Sequence, residues 1–166
     1  MTGQMQTKVL MQIEVDIQRV SKKGKLPTDS QFQCWAEAVS VASPGQHCVA
    51  VRIVDEMEAR HLNLKYRNKD YATNVLSFPA QLPDTLPLEI RQSQLGDILI
   101  CAPIVSREAI EQNRSEIDHW AHLTIHGILH LLGYDHEQAD QAVIMESLEK
   151  EILATLGIPD PYMDSL

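Results

Sequence analysis

Apolar residues recur along this chain with two different periods, and the period changes at short polar breaks. From Lys8 to Asp16 they alternate, with Val9, Met11, Ile13 and Val15 on one side, as in a half-buried strand. Ser21 to Pro27, with Lys22, Lys23, Gly24 and Lys25, interrupts the pattern as a flexible basic loop. Thr28 then predicts a helix start, because its hydroxyl can accept a backbone N–H while Gln31 closes a capping box. Phe32, Trp35, Ala36 and Val39 form the stripe this helix would bury. Ser43-Pro44-Gly45 marks a turn, and His47 to Val54 reads as a second strand. Asp55 is placed to cap a helix from Glu56 to Tyr66, with Met57, Leu62 and Leu64 directed inward. Thr73 to Phe78 is a short strand closed by Pro79.

Pro79, Pro83 and Pro87 exclude a regular helix or a central strand between Pro79 and Gln94, which leaves a long loop of the kind that serves as a lid or binding loop. Leu95 to Cys101 is an apolar, buried strand, and Pro103 to Gln112 suits a helix. Ser115 with Asp118 opens a helix that runs to about Leu132, with Leu123, Ile125, Ile128, Leu129 and Leu132 on its core face. A last helix, about Glu137 to Leu156, carries Val143, Ile144, Leu148 and Ile152 at helical spacing and stops at Gly157 before Pro159. The order β-α-β-α-β-β-α-α-α predicts an α+β fold in one domain, residues 1–166. Its small mixed sheet would pack against helices, with the Ser115–Leu132 helix across one face.

Composition narrows the partners. No apolar run is long enough to span a bilayer, and Met1 to Lys8 is polar, so a soluble, cytoplasmic protein with no membrane contact is expected. Cys34, Cys48 and Cys101 show no metal or disulfide spacing and read as buried or free thiols of a reducing compartment. The net charge of −9 argues against wholesale wrapping of nucleic acid, and no DNA partner is expected. Bases are nevertheless concentrated at Arg52, Arg60, Lys65, Arg67 and Lys69, so an RNA contact would use the middle of the chain. The acidic tail reads as a solvated helix face.

The candidate chemistry lies in His126-Gly127-Ile128-Leu129-His130-Leu131-Leu132-Gly133-Tyr134-Asp135-His136. His126 and His130 are one helical turn apart on one face, and Gly133 lets the chain turn so that His136 can return a third imidazole. Three protein nitrogens with one open position define a catalytic rather than a structural zinc site. Such a centre can lower the pKa of water to near 7. His119 and His122 lie on the same stripe, but His122 and His130 are roughly 12 Å apart along a straight helix, too far to share an ion. They are expected behind the ligands or in packing. The HxxxHxxGxxH spacing resembles that of metzincin proteases, which carry Glu after the first His as general base, whereas this chain has Gly127.

The same motif, with Leu62-Asn63-Leu64-Lys65-Tyr66-Arg67-Asn68-Lys69-Asp70 and Thr73-Asn74-Val75-Leu76-Ser77-Phe78-Pro79, resembles the YbeY family of bacterial metal-dependent endoribonucleases. Leu95-Gly96-Asp97-Ile98 and Asp160-Pro161-Tyr162 belong to the same likeness. The resemblance implies an α+β fold and a single zinc-like ion on His126, His130 and His136. It implies that Arg67, in a substrate groove near the metal, is catalytic together with His126. It further implies cleavage of single-stranded RNA in 16S rRNA maturation, small-subunit assembly and ribosome quality control, with ribosomal RNA and the small ribosomal subunit as partners. Lys65 and Lys69 would help Arg67 hold the RNA backbone. Asp97 and Asp135 are candidates to orient histidines, or simply to serve a strand end and a helix cap. The alternatives are a zinc peptidase with an unconventional base and a non-catalytic assembly factor stapled by its metal. Nickel, copper or iron could replace zinc on three imidazoles.

Overall fold

The structure, a computed structural model, describes residues 12–163. Four strands, β1 (Ile13–Arg19), β2 (His47–Val54), β3 (Val75–Pro79) and β4 (Gln94–Cys101), form one sheet in the order β1-β2-β4-β3. β1, β2 and β4 are parallel, and β3 runs antiparallel along the β4 edge. Among the described residues six α-helices accompany them: α1 (Asp29–Val39), α2 (Glu56–Arg67), α3 (Leu88–Ser93), α4 (Ala102–Glu111), α5 (Glu116–Leu131) and α6 (Ala139–Thr155). The fold is thus α+β with a mixed sheet. The N-terminal part of the strand expected from Lys8 lies outside the described residues, and the strand itself continues to Arg19.

The strand pleat sends alternate residues into two apolar clusters. Val49, Val51, Ile53, Ile98 and Ile100 face α1, α5 and α6 in the larger one, where Phe32 meets Trp35 and Trp120 edge-on with centroids 5.3 and 6.0 Å apart. Val54, Leu76, Leu99 and Cys101 face α2 and Ala59 in the smaller one. The sheet therefore has helices on both sides, with α5 lying against β3 and β4. Gly127 makes that approach possible: a Cβ there would stand 3.0 Å from two carbons of Ile98.

Capping at Thr28 is as the sequence indicates, with Thr28 accepting from Gln31 N at 3.2 Å and Gln31 Oε1 accepting from Thr28 N at 2.9 Å. Three expectations are corrected. Asp55 is the N-cap residue of α2, but its side chain does not bond the helix; its carboxylate accepts from the Ser21 hydroxyl and from Lys22 N, which anchors the loop read as flexible. Met57 and Leu64 are exposed, because α2 turns Ala59 and Asn63 to the sheet instead. The proline-rich stretch contains the short helix α3, which starts after Pro87 and so keeps every proline out of its interior. Pro79 is tolerated because β3 is an edge strand.

Candidate metal centre and RNA groove

Ser115 starts α5 by accepting from Asp118 N, and Gly133 ends the turn after it with φ +101°. This carries His136 back toward the last turn of the helix. Among the described residues, His126, His130 and His136 offer ligand nitrogens that all lie within 4.8 Å of one another. His126 Nε2 and His130 Nε2 face each other at 3.1 Å. Two nitrogens in tetrahedral positions on a zinc, each at about 2.1 Å, would be roughly 3.4 Å apart, so the pair is nearly at ligand spacing. Burial first, then its two histidine neighbours, lowers the pKa of His130, which favours the neutral imidazole a metal requires. The donor set fits one transition-metal ion.

Behind His126 is a residue that sequence reasoning missed. Glu149 of α6 is fully buried. Its Oε1 accepts from His126 Nδ1 at 2.8 Å; its Oε2 accepts from His122 Nε2 and from the Tyr162 hydroxyl, both at 2.7 Å. Burial works against the charged carboxylate, but the hydrogen bonds from His122, His126 and Tyr162 outweigh it and hold the pKa at about 2. Burial and the adjacent Glu149 together push the Tyr162 hydroxyl well above its ordinary range, so it remains a donor. The acidic tail is therefore not only a solvated face. The available signal was the placement of Glu149 between Met145 and Ile152 on the buried stripe of α6.

His119 and His122 stay outside the three-histidine cluster, as expected. His122 reaches it through Glu149, whereas His119 bonds Glu108 at 3.0 Å, which also accepts from Asn74. Asp135 accepts from the backbone of His136 at 2.7 Å. Asp97 makes no side-chain hydrogen bond among the described residues and lines a cavity between α2 and the sheet, which none of His126, His130 and His136 lines.

That cavity, about 530 Å³, is bordered by Gln18, Arg52, Tyr66, Arg67, Phe78 and Asp97. Asn63, buried, donates to Tyr71 O at 2.8 Å, Asn68 closes α2 in the left-handed region, and Arg60 pairs with Asp70 at 2.7 Å. These contacts hold the end of α2 where Arg67 Nη2 donates to Ser77 O at 2.9 Å. The Ser77 hydroxyl donates in turn to Gly127 O at 3.2 Å. A single β3 residue thus joins the arginine to the histidine helix, a link not read from the sequence. Arg52 and Arg60 are occupied by Glu58 and Asp70, whereas Lys65, Arg67 and Lys69 enter no salt bridge among the described residues. Lys65 Nζ lies 5.2 Å from the Tyr66 ring centroid, and neither Lys65 nor Lys69 lines the cavity.

A mixed-sheet α+β domain with three imidazoles gathered at the end of a helix beside an edge strand has the character of a metal-dependent hydrolase. A family model for Endoribonuclease YbeY matches residues 10–157. Endoribonuclease YbeY from Xylella fastidiosa (strain 9a5c) is 56% identical over 140 residues, covering 84% of this chain and 87% of that protein. The Xanthomonas axonopodis pv. citri (strain 306) protein of the same name is 51% identical over 156 residues, covering 94% and 97%. A solution structure of a Thermotoga maritima protein aligns with TM-score 0.54 at 26% identity, over 91% of this chain and 99% of that one. The chain belongs to the endoribonuclease YbeY family.

Proposed function

We propose that this endoribonuclease cuts single-stranded RNA in 16S rRNA maturation, small-subunit assembly and ribosome quality control, working in the cytoplasm on ribosomal RNA and the small ribosomal subunit. The observation that carries the site assignment is the convergence of His126, His130 and His136. One Zn²⁺ ion suits three imidazoles, and other divalent transition ions can use the same donors. Such an ion would polarise a phosphate oxygen or lower the pKa of a water. The match over residues 10–157 supports treating 1–166 as one YbeY-like hydrolase domain. No helix among the described residues is long and apolar enough to cross a membrane.

Arg67 uses one Nη2 bond on Ser77, and its other N–H groups make no hydrogen bond among the described residues. They can grip a phosphate with parallel charge-assisted bonds and stabilise charge building on it. Lys65 and Lys69 extend the contact along the RNA backbone as exposed cations. The peptidase alternative gains no support. The position of its usual base is Gly127, pressed against Ile98, and Glu149 lies buried behind His126.

The test uses purified protein on labelled single-stranded ribosomal RNA and on small-subunit precursor particles. Cleavage should disappear with chelator and with His130→Ala, and return to the chelated wild type with added zinc. Arg67→Ala should lose about 100-fold in rate and bind RNA more weakly. Products bearing a 2′,3′-cyclic phosphate would mark the ribose 2′-hydroxyl as the attacking group. A fully metal-loaded protein that leaves both substrates uncut would overturn the nuclease assignment and favour a metal-stapled assembly factor.

A further inference from the structure

We infer that Glu149 is the positioning residue that makes His126 a ligand, and that Tyr162 holds Glu149 in place, so the C-terminal turn is part of the centre. This presupposes that His126, His130 and His136 hold an ion. An imidazole carries one proton in its neutral form, and the nitrogen without it is the one that can ligate. Glu149 Oε1 sits 2.8 Å from His126 Nδ1 with no exposure to water. An ionised carboxylate can only accept, so the proton is fixed on Nδ1 and the lone pair on Nε2, 3.1 Å from His130 Nε2. Without that acceptor the two tautomers compete, and one of them points an N–H where the ion must be.

Oε2 is held separately. His122 Nε2 and the Tyr162 hydroxyl both donate to it at 2.7 Å, and the Tyr162 ring meets the His122 ring edge-on at 5.5 Å. Tyr162 reaches that position because its own N–H bonds Asp160, while Lys150 of α6 lies 3.6 Å from the same carboxyl group. His122, His126 and Glu149 could be read as a second ion site, since their donor atoms are close together. Their spacing argues otherwise. Contacts of 2.7 and 2.8 Å are hydrogen-bond lengths, each carboxylate oxygen serving a different imidazole, whereas ligands on one zinc would stand roughly 3.4 Å apart.

The experiment uses the full chain as wild type, Glu149→Gln, Tyr162→Phe, the double variant and His130→Ala. Gln keeps the volume of Glu149 but must present an N–H₂ to one of the three donors. Long-range ¹⁵N spectra of the metal-free protein should show His126 in its Nδ1–H form in wild type and a tautomer mixture in Glu149→Gln. Zinc competition against a chromophoric chelator should show one ion per chain and an affinity reduced 10–100-fold in Glu149→Gln. Tyr162→Phe should lose several-fold, an effect that vanishes in the Glu149→Gln background. Circular dichroism and thermal melting accompany each variant, so that a misfolded protein is recognised by its spectrum. If wild type binds zinc no better than His130→Ala, the metal assignment itself fails. If wild type binds zinc but Glu149→Gln keeps both affinity and tautomer, or if Glu149→Gln removes a second bound ion, the positioning role fails.

Discussion

Cys101 lies at the end of β4 with its side chain wholly buried toward α2. Burial, aided by the nearby Glu56 and Asp55 carboxylates and opposed by a backbone hydrogen bond at Ile104, pushes the thiol from its ordinary 9.0 up to about 11. The sign follows from which state ionises first. Above pH 9 the unfolded chain releases this proton and the folded chain does not, so stability is lost as pH rises from 9 toward 11, and nothing is lost below. Urea unfolding across that range should show the advantage of wild type over Cys101→Ala shrinking with pH; parallel curves would refute it. In native protein at neutral pH, a thiol reagent should modify exposed Cys34 and spare Cys101 until denaturant is added. At this scale the sequence was legible where spacing alone gathers residues, as with the convergence of His126, His130 and His136. Glu149 was not, because its meaning comes from His122, which stands 27 positions earlier, and Tyr162, which stands 13 positions later.

At the scale of elements, α5 meets the sheet in a close approach at Gly127. The approach of Gly127 to Ile98 lets the helix sit low on β4, and the Ser77 hydroxyl bonds the Gly127 carbonyl from β3. Gly127→Ala would gain roughly 1 kcal/mol in helix propensity but place its methyl 3.0 Å from two Ile98 carbons, against an overpacking cost of about 1–3 kcal/mol. The net expectation is destabilisation, seen as a lower urea midpoint, and Ile98→Val should be less harmful in the Gly127→Ala background than alone. Unchanged stability with strictly additive effects would show that the contact does not constrain α5. The histidine helix and the strands His47–Val54 and Gln94–Cys101 were legible because each has one unmistakable apolar pattern. The faces of α2 and α6 were not. In α6, Val143, Ile144, Met145, Leu148, Ile152 and Leu153 spread around the helix, and Val143 and Ile144 are exposed while Met145, Glu149, Ile152 and Leu153 are buried. Periodicity alone cannot choose between such stripes; the buried carboxylate bonding α5 identifies the inward one.

Across the whole molecule, the proposed ion would join parts that covalent connection leaves separable. His126 and His130 project from α5, and His136 comes from the segment between α5 and α6. Glu149 carries the linkage into α6, and Tyr162 carries it into the C-terminal turn. The core around Phe32 and Trp120 joins the sheet, α1, α5 and the Met145, Ile152 and Leu153 face of α6 through apolar contacts that involve none of the three histidines. Metal removal should therefore act unevenly. A ligand that binds only the folded state stabilises it by RT ln(1 + [L]/Kd), about 4 kcal/mol at a thousandfold excess over Kd, so chelation should lower the melting temperature by about 8–16 °C. Hydrogen exchange should locate the loss. Amides in residues 132–138, the first turns of α6 and the turn at 158–163 should lose nearly all their protection after chelation, while β2 and β4 lose only as much as the global unfolding free energy falls. Added zinc should reverse the change in wild type and leave His130→Ala unaltered. If residues 132–138 and 158–163 instead kept protection as high as that of β2 and β4 after chelation, the division between a stable sheet and a metal-ordered rim would be wrong.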